Sequence, residues 1–83
     1  MKVTKPVAVA IIQDKAIADL LAKKLVSDIE AGLRVQIHQR QNGSFVVQLT
    51  PATEFNLLNM LEIKAYLRGF FSHDINCKYE KLI

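Results

Sequence analysis

Residues 33–50 read LRVQIHQRQNGSFVVQLT. Leu33, Val35 and Ile37 alternate with Arg34, Gln36, His38 and Arg40. Alternate residues of a strand point to opposite sides, so this is a half-buried strand over 33–41 with one wet face. Asn42-Gly43 follows, a dipeptide suited to a two-residue hairpin turn whose central residues both need positive φ. Beyond it, Phe45, Val47 and Leu49 fall on one face, and Val46, Gln48 and Thr50 on the other, over a strand spanning 44–50. The chain therefore holds a hairpin near its middle.

Four further segments flank that hairpin. Residues 14–31 have Ile17, Leu21, Leu25 and Ile29 at four-residue steps, with Asp19, Lys23, Ser27 and Glu30 opposite. That pattern predicts an amphipathic helix with one buried face. Asp14 is a suitable N-cap, and Gly32 stands where a glycine cap is expected. Residues 3–13 are rich in Val and Ile, which favour strands, but Ala8 and Ala10 and the proline at 6 also permit a helix start. Thr50-Pro51 should open a second helix running to about Phe71. Residues 74–82 alternate Ile75, Cys77 and Tyr79 with Asn76, Lys78 and Glu80, which reads as a last strand.

The expected order is β-α-β-β-α-β. Two β-α-β crossovers around one hairpin make an α+β, ferredoxin-like, two-layer sandwich with both helices on one sheet face. In it the first and third strands are central, and the second and fourth are edges carrying Arg34, Arg40, Lys78 and Lys81. The alternative is an α-β-β-α layer in which residues 7–31 form one long helix.

Length and composition bound the rest. The chain has 83 residues, 51% of them hydrophobic, with 11 Lys and Arg against 8 Asp and Glu. That is the size of a single domain, 1–83, and too apolar for a disordered chain. A core this small holds only a narrow margin over conformational entropy, so a partner often completes it. The longest unbroken apolar run is Val7 to Ile12. A membrane-spanning helix needs about 20 residues, so no membrane partner is expected and a cytoplasmic location is the default. One cysteine, Cys77, excludes an intramolecular disulfide and fits a reducing compartment.

Catalytic and metal motifs are sparse. His73 and Asp74 precede Cys77 by four and three positions. That spacing matches no closed zinc pattern, and the simpler reading is a polar turn followed by a small apolar strand residue. His38 lies between two arginines with no acid nearby to orient it as a base. The glycines at 32, 43 and 69 are scattered, so no phosphate-cradling loop exists. No enzyme activity, metal or cofactor is expected.

Two surfaces stand out instead. The second helix is apolar nearly all round, with one stripe of Leu57, Leu58, Leu61 and Ala65 and another of Met60, Ile63, Leu67 and Phe70, beside Phe71. One stripe suffices for a core, so the other needs cover. The leading reading is a small regulatory or interaction protein that binds another protein chain, self-associating as a homodimer through Met60, Ile63, Leu67, Phe70 and Phe71. The second surface comes from an acid-free stretch, Ala31 to Thr53. It sets Arg34, Gln36, His38 and Arg40 in one row, with Gln48 across the hairpin and Lys78 in support. A basic, amide-rich sheet face of this kind fits a nucleic-acid-binding module, although it lacks the aromatics that sheet-based RNA readers stack on bases. Edge-strand charges also serve simply to block aggregation.

Overall fold

A computed structural model describes residues 6–29, 34–50, 57–72 and 75–83. Six elements follow one another: β1 Val7–Ile12, α1 Lys15–Asp28, β2 Arg34–Gln39, β3 Phe45–Thr50, α2 Leu57–Phe71 and β4 Tyr79–Lys81. The chain is α+β. Residues 7–12 are a strand, which removes the alternative of one long helix over 7–31. Valine and isoleucine outweigh the two alanines there because the segment pairs on both sides.

The four strands form one sheet in the order β2-β3-β1-β4, and every neighbouring pair is antiparallel. β1 and β2 both run against β3 and so are parallel to each other, with β3 between them. β3 and β4 are likewise parallel across β1. Each helix thus sits in a crossover that spans one intervening strand.

Register sorts the side chains. Val35 pairs with Leu49 and Ile37 with Val47, while Arg34, Gln36 and His38 pair with Thr50, Gln48 and Val46. The first set lies under the helices and the second on the opposite face. β1 carries a bulge between Ala8 and Ala10, where the register with β3 shifts. An extra residue breaks the alternation. Val9 and Ala10 are consequently both fully buried. The core joins these residues and Ile12 to Val47 and Leu49 from β3, Ala18, Leu21 and Leu25 from α1, and Ile63, Leu67, Phe70 and Phe71 from α2.

Caps and turns follow their chemistry. The Asp14 carboxylate accepts a hydrogen bond from the Ala16 N–H at 2.8 Å, as an N-cap should. The expected glycine cap at 32 and the Pro51 start of the second helix lie outside the described residues. The hairpin differs from the two-residue turn expected of Asn42-Gly43. Only Gly43 has positive φ, at +86°. The Gly43 N–H donates to the Arg40 carbonyl at 3.0 Å, and the Arg40 N–H to the Ser44 carbonyl at 2.8 Å. This is a three-residue loop, a turn closed by a left-handed glycine. Asn42 stays exposed with negative φ, and its side chain bonds two residues ahead. Its Oδ1 accepts from the Ser44 N–H at 3.0 Å and the Ser44 hydroxyl at 2.6 Å, which satisfies a fully buried serine.

The last strand is shorter than the alternation of residues 74–82 implies. Only Tyr79, Glu80 and Lys81 pair with β1. Cys77 is half-buried against the core but lies before the strand, not on it. Tyr79 stacks on Phe71 with ring centroids 4.2 Å apart and planes 14° from parallel, and this contact holds the short edge strand to α2.

Gly43→Ala should lower stability by about 1–2 kcal/mol, the cost of a left-handed conformation for an L-residue with a side chain. No neighbour lies within 4 Å of the added methyl, so the loss measures backbone strain and not a clash. Urea denaturation of the two proteins checks it, with Ser44→Ala as a comparison that leaves the glycine in place.

Candidate functional site

The stripe assigned to a partner is turned the other way. Ile63 and Leu67 are 1% and 0% exposed, and Phe70 and Phe71 are 9% and 6%. All four belong to this chain's own core, so they cannot be the spare apolar surface of α2. Met60 is half-buried. The reason is phase. Ile63, Leu67 and Phe70 follow three- and four-residue steps and meet the sheet, which leaves Leu61 and Ala65 pointing outward. Leu61 is 51% exposed.

An apolar groove lies between α1 and α2. It encloses about 530 Å³ and is lined by Ile17, Leu20 and Lys24 from α1, Ala65, Tyr66, Gly69 and Phe70 from α2, and Ile75 beyond it. Gly69 keeps the floor low, because a Cβ there would meet nothing within 4 Å. Leu20 is 44% exposed at the wall. Leu20 lies outside the four-residue stripe of Ile17, Leu21, Leu25 and Ile29. Only the position of α2 beside α1 turns it into part of a surface.

One polar bond ties the two helices together. The Tyr66 hydroxyl donates to Asp28 Oδ2 at 2.7 Å. Burial, this hydrogen bond and the carboxylate's charge push the phenol up to about 12 from its ordinary 10.0. Each cause penalises the phenolate. Asp28 stands at the last position of α1, where the helix dipole disfavours an acid, so the tyrosine supplies the partner it lacks.

The opposite side of the sheet has no helix over it among the described residues. Arg34, Gln36 and His38 are exposed there in one row, and Gln48 and Thr50 are half-buried beside them. The sheet's centre adds Ala8, Ile11 and Val46, also half-buried. At the hairpin end, Arg40 and Lys78 come together around a polar cleft of about 240 Å³ with Gln13, Asn42, Ser44 and Glu80. The Gln13 N–H donates to the Lys78 carbonyl at 3.0 Å and holds that corner closed. The sequence placed Lys78 only as a support. Its meeting with Arg40 arises because β4 pairs with β1 at the same end as the hairpin loop.

No group of three or more His, Cys, Asp or Glu converges among the described residues. His73 and Asp74, the two residues read with Cys77 as a weak metal set, lie outside those residues. No described helix is long and apolar enough to cross a membrane. Comparison with protein-family models, with curated proteins and with solved structures gives no match.

The Tyr66 shift has a definite consequence for stability. An unfolded chain loses this proton near pH 10, whereas the folded chain keeps it until about pH 12. The unfolded state therefore binds fewer protons in that interval, and stability falls as pH rises through it. Below pH 10 the tyrosine adds no slope. Denaturation midpoints measured from pH 9 upward should drop less steeply in Tyr66→Phe than in the parent.

Proposed function

We propose that the chain is a small, non-enzymatic interaction protein that binds a second copy of itself through the groove between its helices. The single observation behind this is the groove, with an exposed leucine in its wall. Leu20 is a protruding apolar side chain, and Ala65 and Gly69 are the small residues that leave a hollow. One surface thus offers both knob and hole, which is what a two-fold interface between identical subunits requires. An apolar hollow of this volume in a chain of 83 residues leaves hydrophobic area that a partner would remove from water. This moves the contact from the originally assigned Met60, Ile63, Leu67, Phe70 and Phe71 to the outer side of the same helix, with α1 contributing.

We read the topology as the ferredoxin-like split β-α-β sandwich. Two features support it: each helix links a pair of parallel strands that have a third strand between them, and both helices feed one core. That fold hosts many activities, so function rests on the surfaces and not on the topology.

Sedimentation at micromolar concentration should give the mass of a dimer. Leu20→Asp should return the monomer. Leu20 lies on the surface, so stability should change by only about 0.5 kcal/mol. Gly69→Leu puts a side chain into the hollow from a position where a Cβ meets nothing within 4 Å, and should also block association. A parent protein that stays monomeric across the concentration range would rule out the self-association.

A further inference from the structure

The uncovered sheet face has a chemistry of its own, and the groove does not account for it. Four cationic or protonatable side chains reach it: Arg34 and His38 from β2, Arg40 from the hairpin, and Lys78 from the approach to β4. Among the described residues, Glu80 is the one acid on that side. Between the cations stand neutral hydrogen-bonding groups. Gln36 and Gln48 are directly paired across β2 and β3, and Thr50 is paired with Arg34. The other acids of the described chain, such as Asp14, Asp19, Asp28 and Glu62, belong to the helical layer. In that layer Lys15, Lys23, Lys24, Lys64 and Arg68 stand among the acids, whereas on the sheet face Arg34, Arg40 and Lys78 face the single carboxylate of Glu80, and these cations are exposed and so not needed for the core.

We propose that this face binds a single-stranded nucleic acid. The Arg40–Lys78 cleft and Arg34 would hold phosphates, and Gln36, Gln48 and Thr50 would meet base edges. Three arguments select that ligand. The cations are spread over a face and a cleft, which fits a string of phosphates better than one small anion. Arg and Lys contacts to phosphate give binding without sequence information, and amides add hydrogen bonds to bases. The shape selects a single strand over a duplex. A duplex major groove takes a helix or a two-stranded ribbon, whereas a four-stranded face is too broad to enter it. Single strands lie along such open surfaces. The row on β2 and β3 carries no Phe, Tyr or Trp, and the one aromatic bordering the cleft, Tyr79, already has its ring stacked on Phe71. Stacking therefore contributes little, and electrostatics should dominate.

That dominance gives the test its number. Three phosphate contacts on a single strand predict a slope of log K against log salt of about −2, from roughly −0.7 per contact. Affinity should thus fall about 20-fold between about 50 and about 200 mM salt. The measurement is fluorescence anisotropy of labelled oligonucleotides about 12 nucleotides long, RNA in one arm and DNA in the other, with the intact chain. Arg40→Ala with Lys78→Ala should flatten the slope to about −0.7. Glu80→Gln should tighten binding several-fold by removing the one repulsive charge. Leu20→Asp should leave it unchanged, which separates this face from the helix groove. The substituted cations are exposed, and circular dichroism confirms that each variant keeps its fold. No binding to either nucleic acid at low salt overturns the proposal. So does equal affinity for a poly-glutamate peptide of similar charge, because the face would then be a general anion sink. A slope that ignores Arg34, Arg40 and Lys78 overturns it as well.

Discussion

The pairing of β1 with β3 is the constraint on which the rest of the structure depends. Val7–Ile12 and Phe45–Thr50 are far apart in sequence, and they can be neighbours only if α1 and β2 are carried across β3 to its outer side. β2 is then held at the edge by the short hairpin loop, and β4 takes the other edge, on the far side of β1. The buried layer confirms how much rests on this pair. Val9, Ala10 and Ile12 from one strand and Val47 and Leu49 from the other form the floor on which both helices sit. A one-residue slip between them would send Val47 and Leu49 to the wet face and bring Gln48 under the helices. The bulge at Val9 fixes the register against that slip.

Much of this was legible in residues 33–50, because a strand with one wet face writes its period directly into the sequence. Val35 and Ile37 against Arg34, Gln36 and His38 leave little ambiguity. The helix read over 14–31 was legible for the same reason, at the helical period, although it ends at Asp28 with Ile29 as its C-cap. The misreadings have physical causes. Asn42 had a better use for its side chain than positive φ, since Ser44 is buried and needed an acceptor. The tail alternates from Ile75 to Tyr79, but alternation records only which residues are apolar. Strand pairing needs a neighbour, and β1 pairs with β4 only from Ala10 to Ile12.

The stripe read as spare on α2 belongs to the core for a subtler reason. A helix that is apolar all round contains two acceptable core stripes, and periodicity does not choose between them. Size does. Ile63, Leu67, Phe70 and Phe71 fill the space over the sheet, and Phe71 alone reaches the ring of Tyr79. Ala65 and Gly69 are too small for that work and fall outward, where their smallness becomes the hollow. The basic row was read correctly as a face because strand periodicity is unambiguous. The cleft was not, because Arg40 and Lys78 are brought together only by the order of the strands.

The two surfaces meet in one run of aromatic rings. Phe70 lines the helix groove, Phe71 meets it edge-on at 5.1 Å with planes at 90°, and Tyr79 stacks on Phe71 and borders the polar cleft. Close-packed side chains constrain one another, so the three rings fix β4 against the end of α2. β4 has little else to hold it there. It is three exposed residues long and lies at an edge. Its ties to β1 are a few backbone bonds, including the Leu82 N–H to the Val9 carbonyl at 2.9 Å. A strand with so little of its own burial depends on the tyrosine stack for its position, and Lys78 and Glu80, the cleft's opposing charges, are the residues on either side of that tyrosine.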